Sequence, residues 1–423
     1  MLHPLLLSVC QELDRADVRW CLLRVPADLA APEGDIDLLV AGTDVKYARR
    51  ALTALGFVQM PRPGTSLHFL SYHRPTDRWL WLHVVTTLAF GPYHALRTGA
   101  EVGCLTRAVA CGPMTVLAPD DAFWALLLHC LLDKGGIAER HRARLRTQAE
   151  CARTDTPLAR LVGAVCPPTL TPERLVECAR QGDWEALESF APALEESWLR
   201  RQPITAREKL AYRAAHLRDS LRTRSARRGL SVAVLGPDGA GKSTLCAALA
   251  SSFVLPVRSM YMGLTGGALR YADRVRIPGV RLLLRLCVHW ARYLTARFHQ
   301  ARGRLVVIDR YVYDAVAPHP QRLGLLRRAS RWVDGRSCPP PDMTIVLDVP
   351  GAQMYARKGA YTPEMLEDWR QHFLTLGRRV PGLEVVDATR PAAVVQADVT
   401  ERIWLRYAAR WRGARSHAVR AHG

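Results

Sequence analysis

Lysine is close to absent from this chain. Five lysines, at positions 46, 134, 209, 242 and 358, stand among 59 basic residues, and the other 54 are arginines. Acidic residues are scarce too: 39 Asp and Glu leave a formal net charge of +20. An ammonium is a compact point charge and a guanidinium a planar fork. A lysine that survives this bias therefore marks a position where a point charge is needed. The excess charge has two readings. One is sequence-independent attraction to nucleic-acid phosphates. The other, preferred here, is an arginine-rich and alanine-rich coding bias, so a nucleic-acid partner stays open but is not favoured.

Long apolar runs are missing as well. The longest candidate, residues 123–132, is too short to cross a bilayer and contains His129. The start, Met1-Leu2-His3-Pro4, lacks the basic region and apolar stretch of a secretory leader. A soluble, cytoplasmic protein without a membrane span is the expectation. Eleven cysteines include no Cys-x-x-Cys pair and no Cys/His spacing suited to zinc. Those flanked by apolar residues, Cys130, Cys246 and Cys287, read as buried thiols. With 49% apolar and 23% charged residues, the 423-residue chain has ordinary globular composition, and its length suggests two or three domains.

Three regions separate, with no internal repeat. Residues 1–117 alternate short apolar runs (20–25, 36–40, 79–85, 114–117) with turns, and a helical pattern at 45–55 closes on Gly56. This predicts a small α+β unit. Residues 118–228 show no strand pattern. Asp120 is placed to cap a helix with Phe123, Leu126, Leu127 and Leu131 on one face, and Pro167-Pro168 and Pro203 break later helices. This predicts a helical connector. Its end, residues 200–228, carries ten Arg and Lys against Glu208 and Asp219. A solvated helix face is one reading of that run, and contact with an acidic partner is the other. Residues 229–408 alternate apolar strands (230–235, 305–308, 343–347, 383–386) with helices (243–252, 280–298). Buried strands with helices between them predict an α/β domain with a doubly wound parallel sheet. The basic, Gly-containing tail 409–423 is expected to fray.

Gly236-Pro237-Asp238-Gly239-Ala240-Gly241-Lys242-Ser243 follows the first of those strands and matches the phosphate-loop pattern G-x-x-x-x-G-K-[ST], with Thr244 next. Glycines let backbone N–H groups converge on phosphate oxygens, and the following helix points its positive end at the anion. Lys242 is the point charge for the β- and γ-phosphates, and the Ser243 hydroxyl is a Mg²⁺ ligand. A second strand ends in Asp309-Arg310-Tyr311. A carboxylate there orders Mg²⁺ or accepts a hydroxyl proton, and the adjacent Arg clamps phosphate. A third strand ends at Asp348-Val349-Pro350, followed by Arg357-Lys358-Gly359, cations placed for a lid over triphosphate. The last strand ends at Asp387-Ala388.

In this order the motifs resemble the thymidylate-kinase-like branch of P-loop kinases over about 180 residues. The resemblance implies ATP, Mg²⁺ and a small-molecule phosphoryl acceptor. It also implies that Asp238 faces the acceptor sugar, Arg310 bridges acceptor and γ-phosphate, Arg357 acts from the lid, and Asp387-Ala388 lies near the adenine. Two acceptor elements of thymidylate kinases are replaced, by Tyr261-Met262-Gly263-Leu264-Thr265-Gly266-Gly267 and Val312-Tyr313-Asp314-Ala315-Val316-Ala317-Pro318. Ala360 stands where a related divergent subgroup has Glu. The donor half looks kept and the acceptor half rewritten.

In the N-terminal unit, Gly34-Asp35-Ile36-Asp37-Leu38-Leu39-Val40 puts two carboxylates on one strand face, a Mg²⁺-binding arrangement. With Leu82-His83 the stretch resembles polymerase-β-type nucleotidyltransferases. It lacks their upstream Gly-Ser and third carboxylate, which predicts a degenerate domain that keeps the fold without efficient catalysis. His68, His83, and His129 with Asp133 read as structural. The expected function is ATP-dependent phosphoryl transfer to a nucleotide, nucleoside or sugar-like acceptor. The alternatives are a nucleotide-gated regulatory or polyanion-binding protein and an active N-terminal transferase. A homodimer is compatible with the sequence and not specified by it.

Overall fold

The computed structural model describes residues 2–60, 66–167, 169–226, 229–264, 269–315, 324–376 and 380–420. Parts of the two rewritten acceptor stretches (265–267 and 316–318), with Pro168, Arg227, Arg228 and residues 421–423, lie outside the described residues. The chain divides into two compact units, one formed by Met1–His73 with Arg78–Thr223, the other by Arg74–Asp77 with Arg224–Gly423.

The first unit is built on a mixed seven-stranded sheet in the order Val58–Met60, Leu67–His73, Arg78–Val85, Asp35–Val40, Trp20–Leu22, Met114–Val116, Val109–Cys111. The period of two is visible in one strand. Ile36, Leu38 and Val40 join a core with Leu6, Val9 and Leu13 of helix Pro4–Arg15 and with Leu52 of helix Val45–Ala54. Leu39, one residue out of phase, joins Cys21 in a second core with Phe123, Trp124, Leu158, Leu175 and Trp198. Helices therefore cover both faces of the sheet. The expected helical stretch is present as Pro119–Leu128, Glu139–Cys151, Pro157–Val165, Pro172–Gln181, Trp184–Arg201 and Ala206–Ala226.

Asp120 does not cap the first of these helices. Ala118 is the N-cap, Pro119 opens the helix, and Asp120 sits in its first turn, accepting from the Asp121 N–H at 2.9 Å. Proline's fixed φ and missing N–H suit the first helical position, so the start moves two residues back. The basic run is a helix whose described side chains between 206 and 218 are mostly exposed.

In the second unit five strands, all parallel, run in the order Val257–Tyr261, Leu305–Asp309, Leu230–Leu235, Met343–Asp348, Leu383–Asp387. The central strand Leu230–Leu235 is buried throughout. The chain leaves it toward one side of the sheet and later returns to the other. Its C-terminal end is the topological switch point, where open α/β sheets leave a crevice. The edge strand Val257–Tyr261 carries no apolar run and is half-buried to exposed, which hid it from the hydrophobic pattern. The tail does not fray after Tyr407. Helix Ala392–Arg420 continues through it, because Ala408 and Trp411 are buried and Arg410 pairs with Asp342 at 2.7 Å. Among the described residues no helix is long and apolar enough to cross a membrane.

Candidate functional site

The strand Leu230–Leu235 runs directly into Gly236 at the crevice. Gly239 has φ +90°, and a Cβ there would lie 2.6 Å from the Met354 carbonyl oxygen, so the loop packs against helix Gly351–Lys358 as only glycine allows. Gly241, at φ +93°, is the N-cap of helix Lys242–Ser252 and leaves no side chain over the first-turn N–H groups. Ala240 is buried beneath the loop, and its N–H donates to the Pro237 carbonyl at 3.3 Å. The result is a loop of backbone at the positive end of a three-turn helix, a geometry that receives anions.

Lys242 crosses this loop. Its Nζ donates to the Pro237 carbonyl at 2.7 Å, lies 3.8 Å from Asp238 Oδ1, and is 5% exposed. Burial, reinforced by Arg310, pushes its pKa down to about 8 against the pull of Asp238, Asp314 and Asp309. An ammonium held this dry has much to gain from an added anion. Ser243, next on the helix, donates its hydroxyl to Asp309 Oδ2 at 2.7 Å, while Thr244 faces solvent. Asp309 Oδ1 is buried and has no hydrogen-bond partner. One hydroxyl and one carboxylate with an unused oxygen form a hard-oxygen donor set that fits Mg²⁺. No group of three His, Cys, Asp or Glu among the described residues could hold a metal. An ion here would complete its shell with phosphate and water oxygens.

Arg310 adopts φ +65°, a left-handed conformation uncommon for a side chain of its size. Its N–H donates to the Val234 carbonyl at 3.1 Å, which pins the backbone beside the central strand. The guanidinium is thereby held between two carboxylates, Asp238 and, at 3.1 Å, Asp314. Burial would raise the Asp238 carboxyl, but Arg310, Lys242 and Lys358 hold it below the usual carboxylate range. Asp314 is raised by its deeper burial despite Arg310, and its Oδ1 has no hydrogen-bond partner.

The residues expected on the lid divide. Lys358 Nζ meets Asp238 Oδ2 at 3.2 Å, whereas Arg357 donates to the Ala388 carbonyl, also at 3.2 Å, at the end of the last strand. Neighbours on a helix point about 100° apart, so one faces the loop and the other the strand end. The structure thus brings together Asp238, Lys242, Ser243, Asp309 and Arg310 and sets Arg357 apart. Sequence reasoning placed Lys358 on the lid beside Arg357 but gave the site role to Arg357, and it left Asp314 out. Two signals were available: the rarity of lysine, and the spacing of four between Arg310 and Asp314 across the turn Val312–Ala315.

The carboxylates of the first unit are placed differently. Asp37 is 7% exposed and committed on both oxygens, Oδ1 to His83 Nδ1 at 2.8 Å and Oδ2 to the Arg24 guanidinium, whose Nε lies 3.1 Å away. Burial opposes its charge, yet His83 and Arg24 keep its pKa below the ordinary value. His68 stacks on His83 with ring centroids 4.4 Å apart. Asp35 is exposed. His129 and Asp133 form a 2.8 Å pair whose other carboxylate oxygen accepts from the Gly91 N–H, a structural clasp.

No protein-family model matches the chain, and no curated protein matches it. Among solved structures, one similar to part of the chain is a thymidylate kinase from Candida albicans, 18% identical, covering 43% of this chain and 93% of that one, with a TM-score of 0.36.

Proposed function

We propose that residues 229–408 form an ATP-dependent kinase, related to thymidylate kinases, that transfers a phosphoryl group to a nucleotide, nucleoside or sugar-like acceptor. The observation that carries this reading is the buried Lys242 ammonium spanning the glycine loop beside a Ser243–Asp309 pair with an unused carboxylate oxygen. In this reading the loop N–H groups and Lys242 hold the β- and γ-phosphates, and Ser243 and Asp309 hold Mg²⁺. An ion held by these two residues would supply neutralisation of phosphate charge. Arg310, fixed between Asp238 and Asp314, orients the acceptor against the γ-phosphate, and Asp238 meets an acceptor hydroxyl. Lys358 supplies the loop-facing charge of the lid. Arg357, bonded at Ala388, belongs at the base end of the nucleotide.

In the same reading residues 1–117 are a nucleotidyltransferase-like unit without efficient catalysis, 118–228 a connector and 409–423 a basic tail. Arg24 supports the loss of catalysis, since its guanidinium holds Asp37 where a metal would. The exposed basic helix Ala206–Ala226 favours the second reading, a nucleotide-gated polyanion binder. Labelled ATP incubated with a panel of nucleosides, nucleotides and sugars separates them. A labelled acceptor supports the kinase, and nucleotide-dependent polyanion binding without acceptor product overturns it.

A further inference from the structure

Helix Glu139–Cys151 of the first unit carries arginines at 140, 142, 144 and 146, and they divide between two faces. Arg142 pairs with Glu139 at 2.8 Å, and Arg146 lies over the Trp184 ring at 5.9 Å. Arg140 and Arg144, four apart and so on the opposite face, have no acidic partner among the described residues. Arg140 Nε donates to His141 Nε2 at 3.2 Å. Arg144 Nη2 donates to the Val25 carbonyl at 2.7 Å, which brings its guanidinium beside Arg24. Arg24 meets Asp37 along one edge of its fork, through Nε and Nη2. Positive groups therefore converge. Burial and Arg24 hold the Arg144 guanidinium below its ordinary pKa. Burial, Arg140, Arg24, His129 and Arg144 do the same to His141. Asp37 answers Arg24, and Asp133 answers His129. Among the described residues nothing acidic answers Arg140 or Arg144.

We propose that Arg24, Arg140 and Arg144 form a site for a small phosphate anion that binds without a metal ion. Like charges drawn together in a half-buried place cost stability, and an anion among them returns that cost. Guanidinium forks suit phosphate, because each offers parallel N–H groups to a pair of oxygens. Arg24 and Arg144 are half-buried and held in place, Arg24 by Asp37 and Arg144 by the Val25 carbonyl, so little ordering is left for binding to impose. The positive charge comes from the chain itself, with Arg24 on the side of Asp37 that a divalent cation would need. A phosphate already chelated by Mg²⁺ has its charge answered and fits this site less well. The ligand class is thus a metal-free phosphate or pyrophosphate group, free or carried on a small ester. The site lies within the first unit, and the proposal does not depend on the kinase reading.

Equilibrium dialysis of the full chain against labelled pyrophosphate in EDTA tests it without any activity readout. Lys242→Ala is carried throughout, so that the glycine loop of the second unit does not contribute. One pyrophosphate per chain should be taken up at a concentration on the order of 0.1 mM, and excess Mg²⁺ should weaken uptake about tenfold. Arg144→Gln and Arg140→Gln should each weaken it about fivefold or more. Arg140 is exposed and bonded only to its neighbour His141, so its variant keeps the fold, checked by circular dichroism. Arg146→Gln, on the face toward Trp184, should leave uptake unchanged. Asp37→Asn carries the opposite sign. With the competing carboxylate neutralised, uptake should strengthen about threefold, whereas a metal-dependent site would lose it. Ribose 5-phosphate as a competitor then separates the two forms of the ligand: equal competition identifies an ester, and none identifies the inorganic anion. No uptake at about 1 mM pyrophosphate overturns the proposal. So does uptake that requires Mg²⁺, or uptake indifferent to both Arg140→Gln and Arg144→Gln.

Discussion

Each unit places an aspartate on an inner strand of its sheet, Asp37 on the central strand of the first and Asp309 beside the central strand of the second, and the two aspartates are opposites. Asp37 has every oxygen engaged by Arg24 and His83. Asp309 shares one oxygen with a serine hydroxyl and buries the other without a partner. Burying a carboxylate costs stability unless hydrogen bonds or charges answer it. The first unit answers from within its own fold, so Asp37 has nothing left to offer a ligand. The second leaves the cost standing beside a glycine loop and a buried lysine, where, in the proposed reading, Mg²⁺ and a nucleotide would relieve it.

Substitutions can break this contrast. The largest effect is expected for Lys242→Ala, which should cut ATP turnover about a thousandfold, ~4 kcal/mol in barrier, with the fold intact by circular dichroism. Steady-state kinetics check it, and undiminished turnover would remove Lys242 from the chemistry. Asp309→Asn should lower turnover about a hundredfold and raise the Mg²⁺ requirement. Asp37→Asn should leave turnover unchanged and instead lower the melting temperature by a few degrees. Its cost should be roughly 1–2 kcal/mol, limited by the partial exposure of Arg24. A loss of turnover in the Asp37 variant would reverse the roles given to the two aspartates.

Asp314→Asn should act more mildly. With Arg310 released on one side, KM for the acceptor should rise about tenfold while KM for ATP stays within twofold. An equal rise in both would assign Asp314 to the fold alone.

A last expected effect is on stability against pH and concerns the histidines. His83 is hydrogen-bonded to its acid partner at 2.8 Å, whereas His289 is fully buried, has no hydrogen bond at either ring nitrogen and only approaches Asp334 Oδ1 at 3.9 Å. Burial, Arg285 and Arg292 push its pKa down to about 4 from an ordinary 6.5. Above pH 6.5 the ring is neutral whether the chain is folded or unfolded. As pH falls below 6.5 the unfolded chain takes the proton first, so the second unit should lose stability between pH 6.5 and about 4. The loss should be on the order of 3 kcal/mol, and His289→Phe should flatten that part of the melting profile. An unchanged slope in the variant would place the pH dependence elsewhere.

What the sequence reveals follows the range of the interactions. The glycine loop is contiguous, so its turn and the helix that follows could be read directly, as could the apolar strands that carry the loop and Asp309. Arg24 could not be read, because it reaches Asp37 from the end of the neighbouring strand Trp20–Leu22. The division of Arg357 from Lys358 depends on the rotational setting of one short helix, which no motif encodes. The strand Leu67–His73 was hidden because its side chains, His68, Ser71 and Tyr72 among them, mix polar and apolar on buried faces. The tail misled through composition, since its arginines conceal Tyr407, Ala408 and Trp411 packed against the unit.

Titration calorimetry with Mg-ATP tests the central claim most directly. The native chain should bind one nucleotide in its second unit with micromolar affinity. Lys242→Ala should weaken binding by at least tenfold, and Asp37→Asn should leave it unchanged. Folded protein that takes up no nucleotide, or takes it up equally well without Lys242, would contradict the account.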